Sequence, residues 1–83
     1  MDFEKILKDI AIELVNDKEH LEVRQMPSLE EDVVVLYVYS AQEDIARLIG
    51  RRGSMANSIR QLMSVSGRLA GKRLDIKFES YEA

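Results

Sequence analysis

The residues best suited to chemistry are those of the run Gly50-Arg51-Arg52-Gly53. Glycine adopts positive φ and, having no Cβ, lets another chain approach the backbone closely. The two arginines offer guanidinium donors that match phosphate oxygens, and Arg47 and Arg60 follow on either side. If the run joins two helices, phosphates would meet backbone donors, a helix dipole and side-chain charge together. The spacing therefore predicts a phosphate-binding loop.

The segments before this loop predict one helix and two strands. Apolar residues recur every three or four positions over residues 2–17, which indicates an amphipathic helix with Asp2 as its cap. Residues 20–26 alternate between apolar and charged, as in a half-buried strand. After a break at Pro27 and an acidic run, residues 33–39 are β-branched and aromatic almost throughout. That composition predicts a central strand buried on both faces.

Two helices should flank the loop. The first begins at Ser40 or Ala41 and ends at Leu48. Its inward side chains are predicted to be those of Ile45, Leu48 and Ile49. The second has Ser54 as its N-cap, reaches Leu69 or Ala70, and ends at Gly71.

Residues 72–79 alternate again and predict a third strand, with Leu74, Ile76 and Phe78 facing inward. Two helices between the second and third strands suit a right-handed crossover between parallel strands. The sequence thus predicts an α+β fold, α-β-β-α-α-β, with a three-stranded mixed sheet of order 1-2-3 and helices packed on one face. We expect a single domain over residues 1–83, with a core over 2–79 and a frayed tail over 80–83.

Charge is distributed unevenly along the chain. The net charge is −3, but residues 1–46 carry four Lys or Arg against twelve Asp or Glu. Residues 47–77 carry eight Lys or Arg against Asp75 alone, and residues 78–83 carry two glutamates. The basic segment includes the loop, which favours an anionic partner. The alternative is that these arginines form a solvated helix face.

The run from Leu48 to Arg60 resembles the KH signature, in which an isoleucine precedes the Gly-x-x-Gly and an apolar residue follows six positions after its end. The element order resembles the type II form of that fold. Length and order together resemble the small bacterial single-KH proteins of the KhpA family. The resemblance implies that the loop clamps the backbone of about four single-stranded nucleotides, with the bases in a groove between the flanking helices and the neighbouring strand.

The resemblance also implies roles for individual residues of the loop and its flanks. Gly50 and Gly53 would allow close approach of the RNA, and Arg51 and Arg52 would contact phosphate. The other residues that it places in the RNA site are Ala46, Arg47, Ile49, Ser54, Asn57 and Arg60.

Among these flanking residues, Ala46 and Ile49 would form part of an apolar groove floor. Asn57 and Arg60 would reach the sugar-phosphate or a base edge. Ser54 stands where many members of the family have a basic residue, which predicts a lower affinity.

The helix after the loop has more apolar residues than one face needs. A core stripe consists of Ala56, Ile59, Met63 and Ala70. A second stripe, rotated by roughly 90°, consists of Met55, Leu62, Val65 and Leu69. If this second stripe is exposed, it marks a surface for a partner and favours a homodimer. The resemblance also implies pairing with a second, larger KH-containing protein. The alternative is a wide face buried under the first helix.

Few residues are suited to catalysis or to metal binding. There is no cysteine, and His20, the single histidine, is predicted on the surface. The Gly-Lys-Ser/Thr of an ATP-binding loop is absent. We expect no enzyme, cofactor or metal site. No apolar run approaches the ~20 residues of a membrane span and no secretory signal is visible, so a cytoplasmic protein without membrane contact is expected.

The sequence therefore predicts single-stranded RNA binding. The resemblance implies an RNA chaperone or a bacterial post-transcriptional regulator, linked to cell shape and division. A DNA-reading helix-turn-helix is disfavoured because the second helix has apolar residues where base-reading side chains belong. The serious alternative is a protein–protein interaction module that has the KH fold and binds no RNA.

Overall fold

The protein is described by a computed structural model that covers residues 2–81. Its elements confirm the predicted order of helices and strands. They are α1 (Phe3–Ala11), β1 (Glu22–Met26), β2 (Val33–Ser40), α2 (Gln42–Ile49), α3 (Ser54–Leu69) and β3 (Arg73–Ser80). A 3₁₀ turn, Lys18–His20, precedes β1, and another, Arg51–Gly53, joins α2 to α3.

The three strands form one mixed sheet in the order β1-β2-β3. β1 and β2 are antiparallel, with Val23 opposite Val38. β2 and β3 are parallel, with Leu36 opposite Ile76, and the two helices α2 and α3 make the crossover between them. The predicted mixed sheet, with the most apolar strand at its centre, is confirmed.

A single apolar core lies between one face of the sheet and the helices. Leu7, Leu36, Leu48 and Met63 are fully buried there. Burying each such side chain contributes about 1.5–3 kcal/mol, so this core supplies the main stabilisation of a chain without cysteine. The remaining buried apolar residues are Phe3, Ala11, Val15, Leu21, Val23, Val34, Val38, Ala56, Ile59 and Ile76.

The second face of the central strand is less buried than the sequence predicts. Along β2, buried and half-buried residues alternate. Val34, Leu36 and Val38 are buried, whereas Tyr37 and Tyr39 on the opposite face are only half-buried. The reason is that α1, α2 and α3 contribute their buried residues to one face of the sheet, so no helix covers the other.

Helix α1 is shorter than its apolar periodicity predicts. Asp2 caps its start as expected, accepting a hydrogen bond from the Lys5 amide at 3.1 Å. The helix ends at Ala11 instead of near residue 17. The amides of Asn16 and Asp17 donate to a side chain of α2, so tertiary hydrogen bonds replace the helical ones.

The end of β3 is held as far as Tyr81. The sequence predicts fraying from residue 80, whereas β3 continues through Ser80. The Tyr81 amide donates to the Ser40 carbonyl at 3.2 Å, and its hydroxyl donates to the Glu22 carboxylate at 3.1 Å. Residues 82–83, the rest of the predicted tail, lie outside the described residues.

The buried carboxylate of Asp44 joins α2 to the segment that follows α1. It is 1% exposed and accepts hydrogen bonds from the Asn16 and Asp17 amides and from the Arg47 guanidinium, each at 3.0 Å. The two backbone donors are the main reason that the pKa of Asp44 lies below its ordinary value of 3.8; the Arg47 side chain adds to the effect and burial opposes it. A carboxyl group whose pKa is lowered by folding stabilises the fold at any pH above its ordinary pKa. This stabilisation is lost as the pH falls through the folded pKa.

Replacing Asp44 by asparagine should therefore lower the midpoint of urea unfolding at neutral pH, because a neutral amide cannot accept all three hydrogen bonds as strongly. The difference between wild type and Asp44→Asn should shrink as the pH is lowered from about 5 through the folded pKa. Circular dichroism during urea titration at several pH values measures both effects. Asp9→Asn, which alters an exposed carboxylate paired only with Lys5, is the control and should change little. Equal midpoints for wild type and Asp44→Asn at pH 7 would contradict the role given to this residue.

Candidate nucleic-acid interface

The loop between α2 and α3 has a backbone that requires glycine at both ends. Gly50 has φ 75° and ψ 177°, and Gly53 has φ 78° and ψ 12°. The Gly50 amide donates to the Ala46 carbonyl at 2.9 Å, and the Gly53 amide donates to the Gly50 carbonyl at 3.2 Å. The first bond ends α2 and the second closes the 3₁₀ turn, so the loop backbone has a defined conformation.

The two glycines are required for different reasons. A Cβ on Gly50 would lie 2.7 Å from the Met55 Cβ and 2.8 Å from the Met55 nitrogen. A Cβ on Gly53 would meet nothing within 4 Å. Gly50 thus serves close packing as well as positive φ, whereas the space around Gly53 is open. A ligand backbone can approach the loop at Gly53.

The arginines between the glycines are both exposed. Arg52 has φ 56°, the only positive φ of a non-glycine residue in residues 2–81. A left-handed conformation costs roughly 1–2 kcal/mol for a residue with a Cβ, and strain of this kind clusters at functional sites. Neither arginine side chain makes a hydrogen bond or ion pair within the described part of the chain. Both guanidinium groups are therefore available to a phosphate.

The start of α3 differs from the prediction at one residue. Ser54 is predicted as the N-cap, but Gly53 occupies that position and no side chain caps the helix. Ser54 is the first residue of the helix, and its amide donates to the Arg51 carbonyl because the 3₁₀ turn continues directly into α3. The Ser54 side chain is exposed beside the loop.

The other two arginines near the loop are engaged by the fold. The Arg47 guanidinium donates to the Asp44 carboxylate and, with the Asn16 amide oriented to satisfy both groups, to the Asn16 oxygen at 2.6 Å. The Arg60 guanidinium donates twice to the Ile76 carbonyl, at 3.0 and 3.3 Å. It also lies 5.5 Å from the centre of the Phe78 ring. Only Arg51 and Arg52 of the four are without such contacts.

The remaining predicted site residues lie on the two helices that meet at the loop. Ala46 and Ile49, three residues apart on α2, are both exposed. The inward orientation predicted for Ile49 is wrong, since 37% of it is exposed, whereas Leu48 is buried and Ile45 half-buried. Asn57, on the first turns of α3, is exposed. The structure thus brings an exposed apolar pair and an exposed amide to the two sides of the loop.

The second apolar stripe of α3 is exposed along most of its length. Leu62, Val65 and Leu69 are 59%, 52% and 77% exposed, so burial of this stripe under α1 is wrong for these three residues. Met55 is half-buried and packs on the core instead. In the predicted core stripe, Ala56, Ile59 and Met63 are buried. Ala70 is exposed because α3 ends at Leu69 and the chain turns away.

The sequence patterns gave no role to Asp44 or to the aromatic residues of the uncovered sheet face. An acidic residue next to Ile45 and one turn from Leu48 is a signal for a buried carboxylate, but its two backbone donors, in Asn16 and Asp17, lie 28 and 27 positions away in sequence. Within residues 2–81, no group of three or more His, Asp or Glu is arranged to hold a metal ion. Nor does that part of the chain contain a helix long and apolar enough to span a bilayer.

The element order, the mixed three-stranded sheet and the Gly-x-x-Gly between α2 and α3 together define a type II KH domain. The family model for the KH domain of KhpA and KhpB matches residues 4–78. The chain therefore belongs to the KhpA/KhpB KH-domain family, whose members are non-catalytic RNA-binding proteins. No solved structure matches the chain with significance.

Replacement of the two loop glycines by alanine should lower the free energy of unfolding by different amounts. Gly53→Ala should cost about 1–2 kcal/mol, the cost of positive φ for a residue with a Cβ. Gly50→Ala should cost more, because its Cβ would also collide with the Met55 backbone and Cβ. Urea unfolding of each variant gives the free energies. Gly53→Asn is the control and should cost less than Gly53→Ala, since asparagine tolerates this conformation. Equal losses for both alanine variants would argue against the packing role of Gly50.

Proposed function

We propose that this chain binds single-stranded RNA by holding its phosphate backbone on the Gly50–Gly53 loop. The observation that carries this proposal is the pair of exposed arginines, Arg51 and Arg52, which make no hydrogen bond or ion pair within residues 2–81. A protein that used these residues only for folding would pair them with the many carboxylates of the chain. Two free guanidinium groups on a strained loop are instead suited to an incoming anion.

The loop adds two further attractions for phosphate. It stands at the N-terminus of α3, a helix of 16 residues, where the helix dipole is positive. The open space at Gly53 lets a phosphate reach the main chain without meeting a Cβ. In this proposal, backbone, dipole and side-chain charge act on the same group.

The bases would then lie between the helices beside the loop. Ala46 and Ile49 offer apolar contact from α2, and Asn57 and Arg60 offer hydrogen bonds from α3. Because Arg60 already donates to the Ile76 carbonyl, it can contact RNA only with its remaining donors or after releasing that carbonyl. Arg47 is likewise partly neutralised by Asp44. The first contacts with phosphate therefore fall to Arg51 and Arg52.

A site of this size implies modest affinity and broad specificity. Each phosphate contact in a single-stranded complex contributes about −0.7 to the slope of log K against log salt, so two contacts predict a slope near −1.4. Such a site suits an RNA chaperone or a post-transcriptional regulator in the cytoplasm. The competing function is a protein–protein interaction module that binds no RNA. That function gives no reason for two arginines on the loop without a partner in the fold.

We also propose that the exposed stripe of α3 pairs with a second copy of the chain. Leu62, Val65 and Leu69 recur at spacings of three and four, as in the seam between packed helices. A twofold axis through the stripe would let each copy cover the other, and burial contributes about 1.5–3 kcal/mol for each side chain that leaves water. The same stripe also fits a KH domain of a larger protein. Two loops in one assembly would raise the affinity for RNA through effective concentration.

Reversing the charge of the loop should abolish most of the RNA binding. Arg51→Asp/Arg52→Asp should weaken binding of a fluorescent single-stranded RNA pool by at least about tenfold, because charge-assisted bonds are lost and repulsion is added. Aspartate tolerates the positive φ at position 52, so the variant should stay folded. Fluorescence anisotropy at low and moderate salt measures affinity and slope, and circular dichroism verifies folding.

The matched control is Lys8→Asp/Arg68→Asp, which changes the net charge equally. Both side chains are exposed and make no hydrogen bond or ion pair within residues 2–81. Arg68 is near the far end of α3, which is about 24 Å long. This control should keep most of the affinity. Equal binding by wild type and the loop variant would rule out the phosphate clamp at this loop. No binding by wild type at any salt would rule it out as well and would favour the protein-interaction module.

Placing a charge in the α3 stripe should dissociate the dimer. Leu62→Asp should raise the dimer dissociation constant at least about tenfold, because a carboxylate cannot be buried against apolar side chains. Leu29→Asp is the control, since Leu29 is an exposed leucine like Leu62 but lies on the β1–β2 loop. Sedimentation equilibrium measures the dimer dissociation constants of wild type and of both variants. A wild type that stays monomeric, or two variants that behave alike, would rule out this surface.

A further inference from the structure

The three tyrosines of the chain form one stack on the sheet face that no helix covers. The rings of Tyr37 and Tyr39 lie 5.9 Å apart between centroids and 16° from parallel. The rings of Tyr39 and Tyr81 lie 5.8 Å apart and 28° from parallel. The His20 ring meets Tyr81 edge-on at 6.4 Å. The stack is thus closed by His20 at one end, and beyond Tyr37 it meets no further ring within residues 2–81.

Strand register places two cationic residues next to Tyr37, of which only Lys77 is free in the described part of the chain. Arg24 of β1 and Lys77 of β3 stand opposite Tyr37, one on each side. Lys77 has no hydrogen bond or ion pair within the described residues. Arg24 pairs with Glu22 at 2.9 Å and lies 5.9 Å from the Tyr39 ring centre, so its charge is partly compensated.

The carboxylates of the face lie mainly at the closed end. Glu22 and Glu79 stand opposite Tyr39, on β1 and β3. Glu22 is held by Arg24 and by the Tyr81 hydroxyl, and both hydrogen bonds lower its pKa. The face as a whole is therefore near neutral, but its one free ammonium group lies beside the ring that can still accept a stacking partner.

The surface next to Tyr37 has the parts of a small binding site for a planar ring. Val35 precedes Tyr37 by two residues on β2 and lies on the same face, with half-buried Met26 opposite it. Asp75 stands opposite Val35 on β3 and is exposed, so it can accept a hydrogen bond. An aromatic wall, an apolar floor, a free cation and one acceptor thus surround the same position.

We propose that the open end of the tyrosine stack is a second RNA site, where an unpaired nucleobase stacks on Tyr37 over Val35 and the adjoining phosphate contacts Lys77. Stacking of bases on aromatic side chains, with cations for the backbone, is the common mode of single-strand binding. This inference shares its ligand class with the proposed function but uses the face opposite the helices. One domain would then hold two RNA segments, one on each face.

Intrinsic tyrosine fluorescence tests this site directly, because the chain has three tyrosines, all in the stack, and no tryptophan. The probe is an unlabelled oligouridine RNA of about 12 nucleotides, long enough for several contacts, with correction for absorption by the RNA. An abasic strand of equal length is the control ligand. Wild type should be quenched by the RNA and not by the abasic strand. Arg51→Asp/Arg52→Asp should bind more weakly but still show the same quenching at saturation.

Two substitutions at one position separate the ring from its hydroxyl. Tyr37→Leu removes the ring but keeps an apolar side chain, and should weaken RNA binding about fivefold or more. Tyr37→Phe keeps a stacking ring and should bind like wild type. Lys77→Gln should weaken binding and reduce the salt slope by about 0.7, the loss of one phosphate contact. Circular dichroism verifies that each variant is folded.

The outcomes separate this inference from the proposed function. RNA binding that depends on Arg51 and Arg52, without quenching and with Tyr37→Leu equal to wild type, overturns the second site and leaves the loop clamp intact. Quenching that persists in the loop variant supports the second site. No binding of RNA by any of these proteins overturns both. If Tyr37→Leu changes the sedimentation of the free protein and leaves RNA binding unaltered, the face is a contact between copies and the proposal is wrong.

Discussion

The hydrogen bonds of the buried Asp44 carboxylate fix helix α2, which leads into the loop, against the segment that follows α1. The Asp44 carboxylate accepts hydrogen bonds from the amides of Asn16 and Asp17 and from the guanidinium of Arg47. Its own helix, α2, ends at the loop. A buried carboxylate is tolerated only when its oxygens are fully hydrogen-bonded, so this arrangement fixes α2 against the segment that follows α1. The direction in which α2 presents Gly50 therefore depends on a segment more than thirty positions earlier in the sequence.

The loop can be strained because its surroundings hold it on both sides. Leu48 before it and Ala56 after it are buried in the core, so the ends of the loop cannot move apart. Gly50 packs against Met55, and Arg52 is left in a left-handed conformation. Burial of the flanking residues outweighs a local cost of roughly 1–2 kcal/mol. The same rigidity keeps the two guanidinium groups outside the fold, where no carboxylate of residues 2–81 reaches them.

Local sequence patterns predicted the order of the elements, the core-facing side of the strands and the loop, because periodicity and glycine spacing are properties of neighbouring residues. Long-range contacts account for what they missed. The end of α1 depends on the hydrogen bonds to Asp44. The partial exposure of Ile49 depends on how α2 packs on the sheet. One face of β2 is half-exposed because all three helices pack on the other face. For the candidate site, sequence predicted which cations surround the loop, but not that Arg47 and Arg60 are held by Asp44 and the Ile76 carbonyl.

The net negative charge of the chain is compatible with the proposed phosphate site, because several carboxylates are held by other parts of the fold. Asp44 is buried, Glu22 is held by Arg24 and Tyr81, and Glu4 accepts a hydrogen bond from the Gln25 amide at the free edge of β1. Exposed charges separated by more than a Debye length of roughly 8–10 Å act nearly independently at physiological salt. In the proposed complex, an RNA backbone would therefore meet the local charge at the loop, where two free arginines would outweigh a net charge of −3 spread over the whole chain.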